Sequence, residues 1–172
     1  MRPPADAAAI RRFLRELGRL ATAPATVYLV GGSTAVLEGW RQTTVDIDLR
    51  VEPDTDDVMR WLPDLKVRLG TNVELASPLD FLPEPAGWRE RSPFVGQEGP
   101  LTIRHMDPVL QALAKLERGF DQDLRDVEAM IERGLIDGAR LRATYQQIEP
   151  RLFRFPAVDA ARLRDAVERI AG

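Results

Sequence analysis

The sequence predicts a mixed α/β fold: a small twisted mixed sheet flanked by helices, with a C-terminal helical tail. Short apolar runs that end in glycine or alternate with a period of two recur before residue 106. Segments with apolar residues at helical spacing lie between them. From Asp107 onward only the helical pattern continues. Residues 1–106 are therefore expected to form an α/β core with its own N-terminal helix, and residues 107–172 a helical region packed on it as one compact domain.

Ile10, Phe13, Leu14, Leu17 and Leu20 predict a helix over about residues 5–21, with Arg11, Arg15 and Arg19 on its solvated face. VYLV at 27–30, ended by Gly31-Gly32, reads as a buried strand, and Ser33 as the N-cap of a brief helix over 34–39 that Gly39 terminates. Val45 to Leu49 alternates as a strand, Asp54 to Leu69 reads as a helix stopped by Gly70, and Asn72 to Ala76 as a further strand. Five prolines and three glycines in 77–100 predict a long ordered loop before a last strand at 101–104. Asp107-Pro108 is an N-cap followed by proline at the first helical position, and Gly119 closes that helix. Asp121 and Gly134 bracket the next helix, and shorter helices broken at Pro150 and Pro156 follow.

The 172 residues include no cysteine, which excludes thiolate metal sites, disulfides and a cysteine nucleophile. His105 is the single histidine, so multi-histidine metal centres are excluded as well; it reads as structural. A net charge of −3 argues against a broad, charge-driven nucleic-acid surface. Lys66 and Lys115 are the two lysines among 24 basic residues. No apolar run is long enough to span a bilayer, and the opening MRPPADAAAIRRF has no signal-peptide core, so a cytoplasmic protein without membrane partners is expected.

The chemistry concentrates where a strand, Gly31-Gly32-Ser33, a short helix and a strand bearing Asp46 and Asp48 follow one another. Strand residues at i and i+2 share a face, with about 6–7 Å between their roots. Paired carboxylates repel, and a divalent cation relieves the repulsion. Mg²⁺ suits such hard oxygen ligands together with substrate phosphates, with Mn²⁺ as its substitute. Gly31-Gly32 admits close backbone approach, and the helix after it offers N–H groups to a phosphate. Read separately, Gly-Gly-Ser is an ordinary capped turn and Asp-Ile-Asp a solvated strand face; in this order they point to phosphate chemistry. No dinucleotide fingerprint or P-loop is present.

LVGGSTAVLEGWRQTTVDIDL resembles the signature of the DNA polymerase β-like minimal nucleotidyltransferases. It is most similar to the bacterial families related to the abortive-infection nucleotidyltransferase toxins of type IV toxin–antitoxin systems. NVELASPLDFLP, the Lys115 helix and DLRDVEAMIERGLID extend the likeness over most of residues 25–138. The resemblance implies a nucleotidyltransferase fold. It also implies that Gly32 and Ser33, with Gly31 beside them, hold an NTP's phosphates while Asp46 and Asp48 ligate metal. Glu74 would be the third metal-binding acid and would help deprotonate the attacking hydroxyl, with Asp80 as the alternative. Gln111, Lys115 and Arg118 share one face of their helix, either solvated or, by the resemblance, with Lys115 on the triphosphate. Asp126 would orient Lys115 or contact the base, and Arg41 would steady a phosphate or ribose.

The expected activity is Mg²⁺-dependent transfer of an NMP from an NTP to an acceptor hydroxyl, by two-metal catalysis. The acceptor is left open among a tRNA 3′ end, a protein hydroxyl and a small molecule. A toxin role with an antitoxin partner fits the resemblance. A non-catalytic nucleotide- or partner-binding module on a decayed nucleotidyltransferase fold is the alternative.

Overall fold

The computed structural model describes residues 1–54 and 56–172. Among them the chain forms seven α-helices and one five-stranded mixed sheet, so the expected fold class holds. Two compact units divide the chain: residues 1–77 with 93–105, and residues 78–92 with 106–172.

In the first unit, α1 (Ala7–Leu20) starts at Asp6, whose carboxylate caps the helix by accepting from the Ala9 amide at 2.8 Å. Strands β1 (Ala25–Val30), β2 (Ile47–Glu52), β3 (Val73–Leu75), β4 (Phe94–Glu98) and β5 (Leu101–His105) align in the order β3-β2-β1-β5-β4. β1 runs antiparallel to β2 and parallel to β5, β2 and β3 are parallel, and β4 and β5 are antiparallel. Ile10, Phe13, Leu14 and Leu17 of α1 share a core with Val58, Leu62 and Leu65 of α3 (Asp56–Leu69). Onto these pack Val27, Leu29, Ile47, Leu49, Val51, Val73, Leu101 and Ile103, the alternate residues of four strands. As expected, Arg11, Arg15 and Arg19 stay exposed on the other side of α1.

Four sequence expectations shift. The strand expected at 45–49 begins at Ile47 and continues to Glu52, leaving Val45 exposed and Asp46 in the turn before it. The segment 77–100 is not one loop. A 3₁₀ turn at Pro78–Asp80 opens it, and β4 pairs with β5 near its end, irregularly between Phe94 and Gly96. The helix after β1, α2 (Gly32–Glu38), is capped by Gly31, not Ser33. Gly31 has φ 60, a left-handed conformation that glycine adopts at little cost. The helix expected from Asp54 is α3, which starts at Asp56; Thr55 lies outside the described residues.

His105 ties α2 to the sheet. It pairs with Leu29 across β1 and β5, and its Nδ1 lies 2.9 Å from the Thr34 hydroxyl. Its Nε2 meets Glu38 at 3.2 Å. Two ring contacts one helical turn apart hold one face of α2, in keeping with a structural histidine.

The second unit is built around α4 (Pro108–Arg118), which contacts α5 (Asp121–Glu132), α6 (Gly138–Ile148) and α7 (Ala160–Ala171). Asp107 caps α4 through the Val109 amide, with Pro108 at the first position and Gly119 at the end, as the sequence indicates. Arg91 reaches the same carboxylate at 2.8 Å, and Ser92 accepts from the Asp107 amide. These bonds fasten residues 78–92 into the helical unit. No helix among the described residues is long and apolar enough to cross a membrane.

Burial holds the His105 ring below its ordinary value of 6.5, with Glu38 pulling the other way. The unfolded chain therefore takes up a proton, between that value and the folded one, that the folded chain resists. This contribution to stability is complete above about pH 6.5 and is lost as pH falls below it. Melting temperatures between pH 8 and 5 should drop more steeply for the wild type than for His105→Gln. Parallel curves would mean the ring titrates alike in both states.

Candidate active site

Ile47, Leu49 and Val51 are locked into the helix-covered core, so alternation turns Asp48, Arg50 and Glu52 to the opposite face of β2. Asp48 lies between Val30 on β1 and Glu74 on β3. The register thus sets Asp48 and Glu74 directly opposite each other on one face, on strands about 4.8 Å apart. Like charges facing across a sheet destabilise it, and a cation held between them removes that cost.

The glycine turn comes to the same place from β1. A Cβ built on Gly31 would lie 3.5 Å from Asp48 Oδ2, so this carboxylate rests against the turn's backbone. A Cβ on Gly32 would overlap the Cβ and hydroxyl of Thr44 and would stand 3.4 Å from Arg41 Nη1. Thr44 packs on Gly32, bonds the Asp46 carbonyl through its hydroxyl at 3.0 Å, and pairs its backbone with Ala5. The turn, Arg41, Thr44 and the start of β2 are therefore mutually positioned.

Of the expected residues, Gly31, Gly32, Arg41, Asp48 and Glu74 are tied together by these contacts and registers. Asp46 is half-buried in the turn before β2, so the ladder that fixes Asp48 does not itself fix its side chain. Ser33 is wholly enclosed, and its Oγ has no hydrogen-bond partner among the described residues. Sequence reasoning missed Thr44, whose position beside the Asp-x-Asp segment was the available signal. Among the described residues, no three His, Asp or Glu side chains form a ready metal-binding group. The carboxylates at hand are nevertheless hard oxygen donors of the kind Mg²⁺ takes one or two at a time alongside phosphates.

Lys115 and Asp126 lie in the second unit, joined by a 2.7 Å ion pair with both side chains enclosed. Gln122 donates to the other Asp126 oxygen at 3.0 Å. Gln111 is also buried, and its amide donates to the Met106 carbonyl. The α4 stripe expected as a possible solvated face is solvated only at Arg118, which holds the buried Asp123. Asp80, the alternative third acid, ends the 3₁₀ turn of that unit.

A family model described as a nucleotidyltransferase of unknown function (DUF6036) matches residues 8–163. No curated protein and no solved structure matches the chain at a significant level.

Two stability measurements check this geometry. Gly32→Ala should cost about 1–3 kcal/mol by overpacking against Thr44, and a double-mutant cycle with Thr44→Gly should recover part of it. An additive cycle would remove the contact as the reason for glycine. Lys115→Met alone should cost about 3–5 kcal/mol by stranding Asp126, and Lys115→Met/Asp126→Leu should restore most of that in chemical denaturation.

Proposed function

The chain belongs to the family of nucleotidyltransferases of unknown function (DUF6036), and we propose that its first unit moves an NMP from an NTP to an acceptor hydroxyl. The observation that carries this reading is the register of Asp48 against Glu74, with the Asp48 carboxylate resting on the Gly31 turn. Asp46 and Asp48, with Glu74 adjacent, are the residues that would hold Mg²⁺ or Mn²⁺. Either ion, when bound, supplies charge neutralisation at the triphosphate.

The chain's own residues account for the remainder. The bare backbone of Gly31 and Gly32 admits the phosphates closely, and the Arg41 guanidinium beside Gly32 faces their charge. Ser33, the remaining phosphate-binding residue that the resemblance implies, is enclosed beneath the turn and would need the turn to open before its Oγ met a phosphate oxygen. Glu74, next to Asp48, takes the proton from the acceptor hydroxyl as its oxygen attacks the α-phosphorus and pyrophosphate leaves. Positioning and electrostatics supply the catalysis, so no nucleophilic side chain is required. By resemblance to the abortive-infection families, the biological role is that of a toxin neutralised by an antitoxin. Growth arrest on expression, relieved by Asp48→Asn, tests that role.

Thermal unfolding with each of the four NTPs, with and without Mg²⁺, tests the site. A nucleotide at about 100 times its Kd adds roughly 2.7 kcal/mol. One NTP should raise the melting temperature only with Mg²⁺, and Asp46→Asn/Asp48→Asn should abolish the rise. No rise with any NTP in the folded wild type would favour the non-catalytic module.

A further inference from the structure

β3 is an edge strand of the sheet. In a parallel ladder alternate residues turn their N–H and C=O groups to the same neighbour. The Ile47 amide bonds the Asn72 carbonyl and the Ala76 amide bonds the Leu49 carbonyl, so even-numbered residues here serve β2. The backbone groups of Val73 and Leu75 consequently point away from β2, to the outer edge; Val73 is enclosed there, with Arg2 bonding the nearby Thr71 carbonyl, and Leu75 is where another strand can begin to pair.

Beside that edge lies a cleft of about 680 Å³ lined entirely by the first unit: Arg2, Met59, Leu62, Pro63, Lys66 and residues 73–75. The four α3 residues follow an i, i+3, i+4, i+7 pattern, a single helix stripe facing the edge strand. Pro63 has no N–H, so the Met59 carbonyl lacks its usual partner four residues on. Leu75 is 45% exposed. An edge strand beside an apolar helix stripe is the arrangement by which peptides bind through strand addition.

We infer that this edge receives the acceptor as an extended polypeptide segment, and that the transferred group goes to a side-chain hydroxyl of that segment. The inference rests on the proposed transfer reaction. Period-two alternation supplies the geometry: the residue paired opposite Glu74 shares its face, and so stands next to Glu74, with Asp48 one strand further on along that face. Its two neighbours turn to the other face, into the cleft of Met59, Leu62, Pro63 and Leu75. Lys66 and Arg2 match an acidic residue further along that cleft-facing side. In the step itself, the Ser, Thr or Tyr oxygen bonds to the NTP α-phosphorus, the bond to the β-phosphate oxygen breaks, and pyrophosphate leaves. The hydroxyl proton passes to Glu74. An RNA acceptor fits less well, because the cleft lining holds no aromatic ring for base stacking and two cations only.

The test uses the full chain and two fluorescein-labelled synthetic peptides. One is Gly-Ser-Leu-Tyr-Leu-Ser-Asp; the other is Gly-Leu-Ser-Tyr-Ser-Leu-Asp, which turns the leucines to the acidic face. Anisotropy without nucleotide should show the first binding at least 10-fold more tightly. Leu75→Pro, which deletes an outward N–H, and Met59→Asp, which charges the cleft, should each weaken that binding at least 10-fold while leaving the Mg²⁺–NTP thermal shift intact. With Mg²⁺ and α-labelled NTP, label should appear on the tyrosine of the first peptide. Equal binding of the two peptides, or binding indifferent to both variants, overturns the docking. Label on the 3′ end of a single-stranded RNA heptamer but on neither peptide overturns the acceptor class. Absence of any NTP shift in the wild type removes the transfer chemistry and the acceptor role with it, and is read separately from the anisotropy.

Discussion

The candidate site depends on the two-sidedness of β2. Ile47, Leu49 and Val51 are drawn into the core under α1 and α3 by burial of their side chains, each contributing on the order of 1.5–3 kcal/mol. Asp48 faces the other way because its neighbours are fixed. A slip of one residue in either ladder would bring the carboxylate into the core and an apolar residue onto the open face, at a cost no small rearrangement offsets. The chemistry is thus held in place by apolar residues that take no part in it. Glu74 inherits its position from the same rule, since Val73 is anchored in that core.

What sequence could reveal here was local. VYLV followed by Gly31-Gly32, the alternation around Asp48, and the Asp107-Pro108…Gly119 punctuation of α4 are short-range signals whose physics is complete within a few residues. The failures have long-range causes. β4 went unseen because Phe94 and Val95 are both exposed and the pairing shifts near Gly96, so no period-two pattern marks it. Ser33 looks like a cap because serine commonly is one. Gly31 took that position, with a backbone angle serine adopts only at a cost, and Ser33 was carried inside the helix.

Lys115 illustrates the same limit from the opposite side. On a helical wheel it belongs to a polar stripe with Gln111 and Arg118, and polar stripes ordinarily face water. α4 is instead surrounded by three helices, and its polar groups find partners within them, Asp126 for Lys115 and Asp123 for Arg118. Neither partner is on α4, so no window confined to that helix contains the answer. The candidate site was more legible, because Gly31 directly follows β1 and Asp48 lies on β2, the next strand in both sequence and sheet. Thr44 escaped notice because its importance lies in what it touches, Gly32 and Ala5, and not in its own chemistry.

The bridge between Ala5 and Thr44 has a practical side. Its two backbone hydrogen bonds, 2.7 and 2.9 Å, stitch the amino-terminal segment to the residue that positions the Asp46 turn. Arg2, a few residues earlier, lines the cleft beside β3. An affinity tag fused ahead of Met1 would therefore be tethered close to both, with its bulk and charge beside the surface to be assayed.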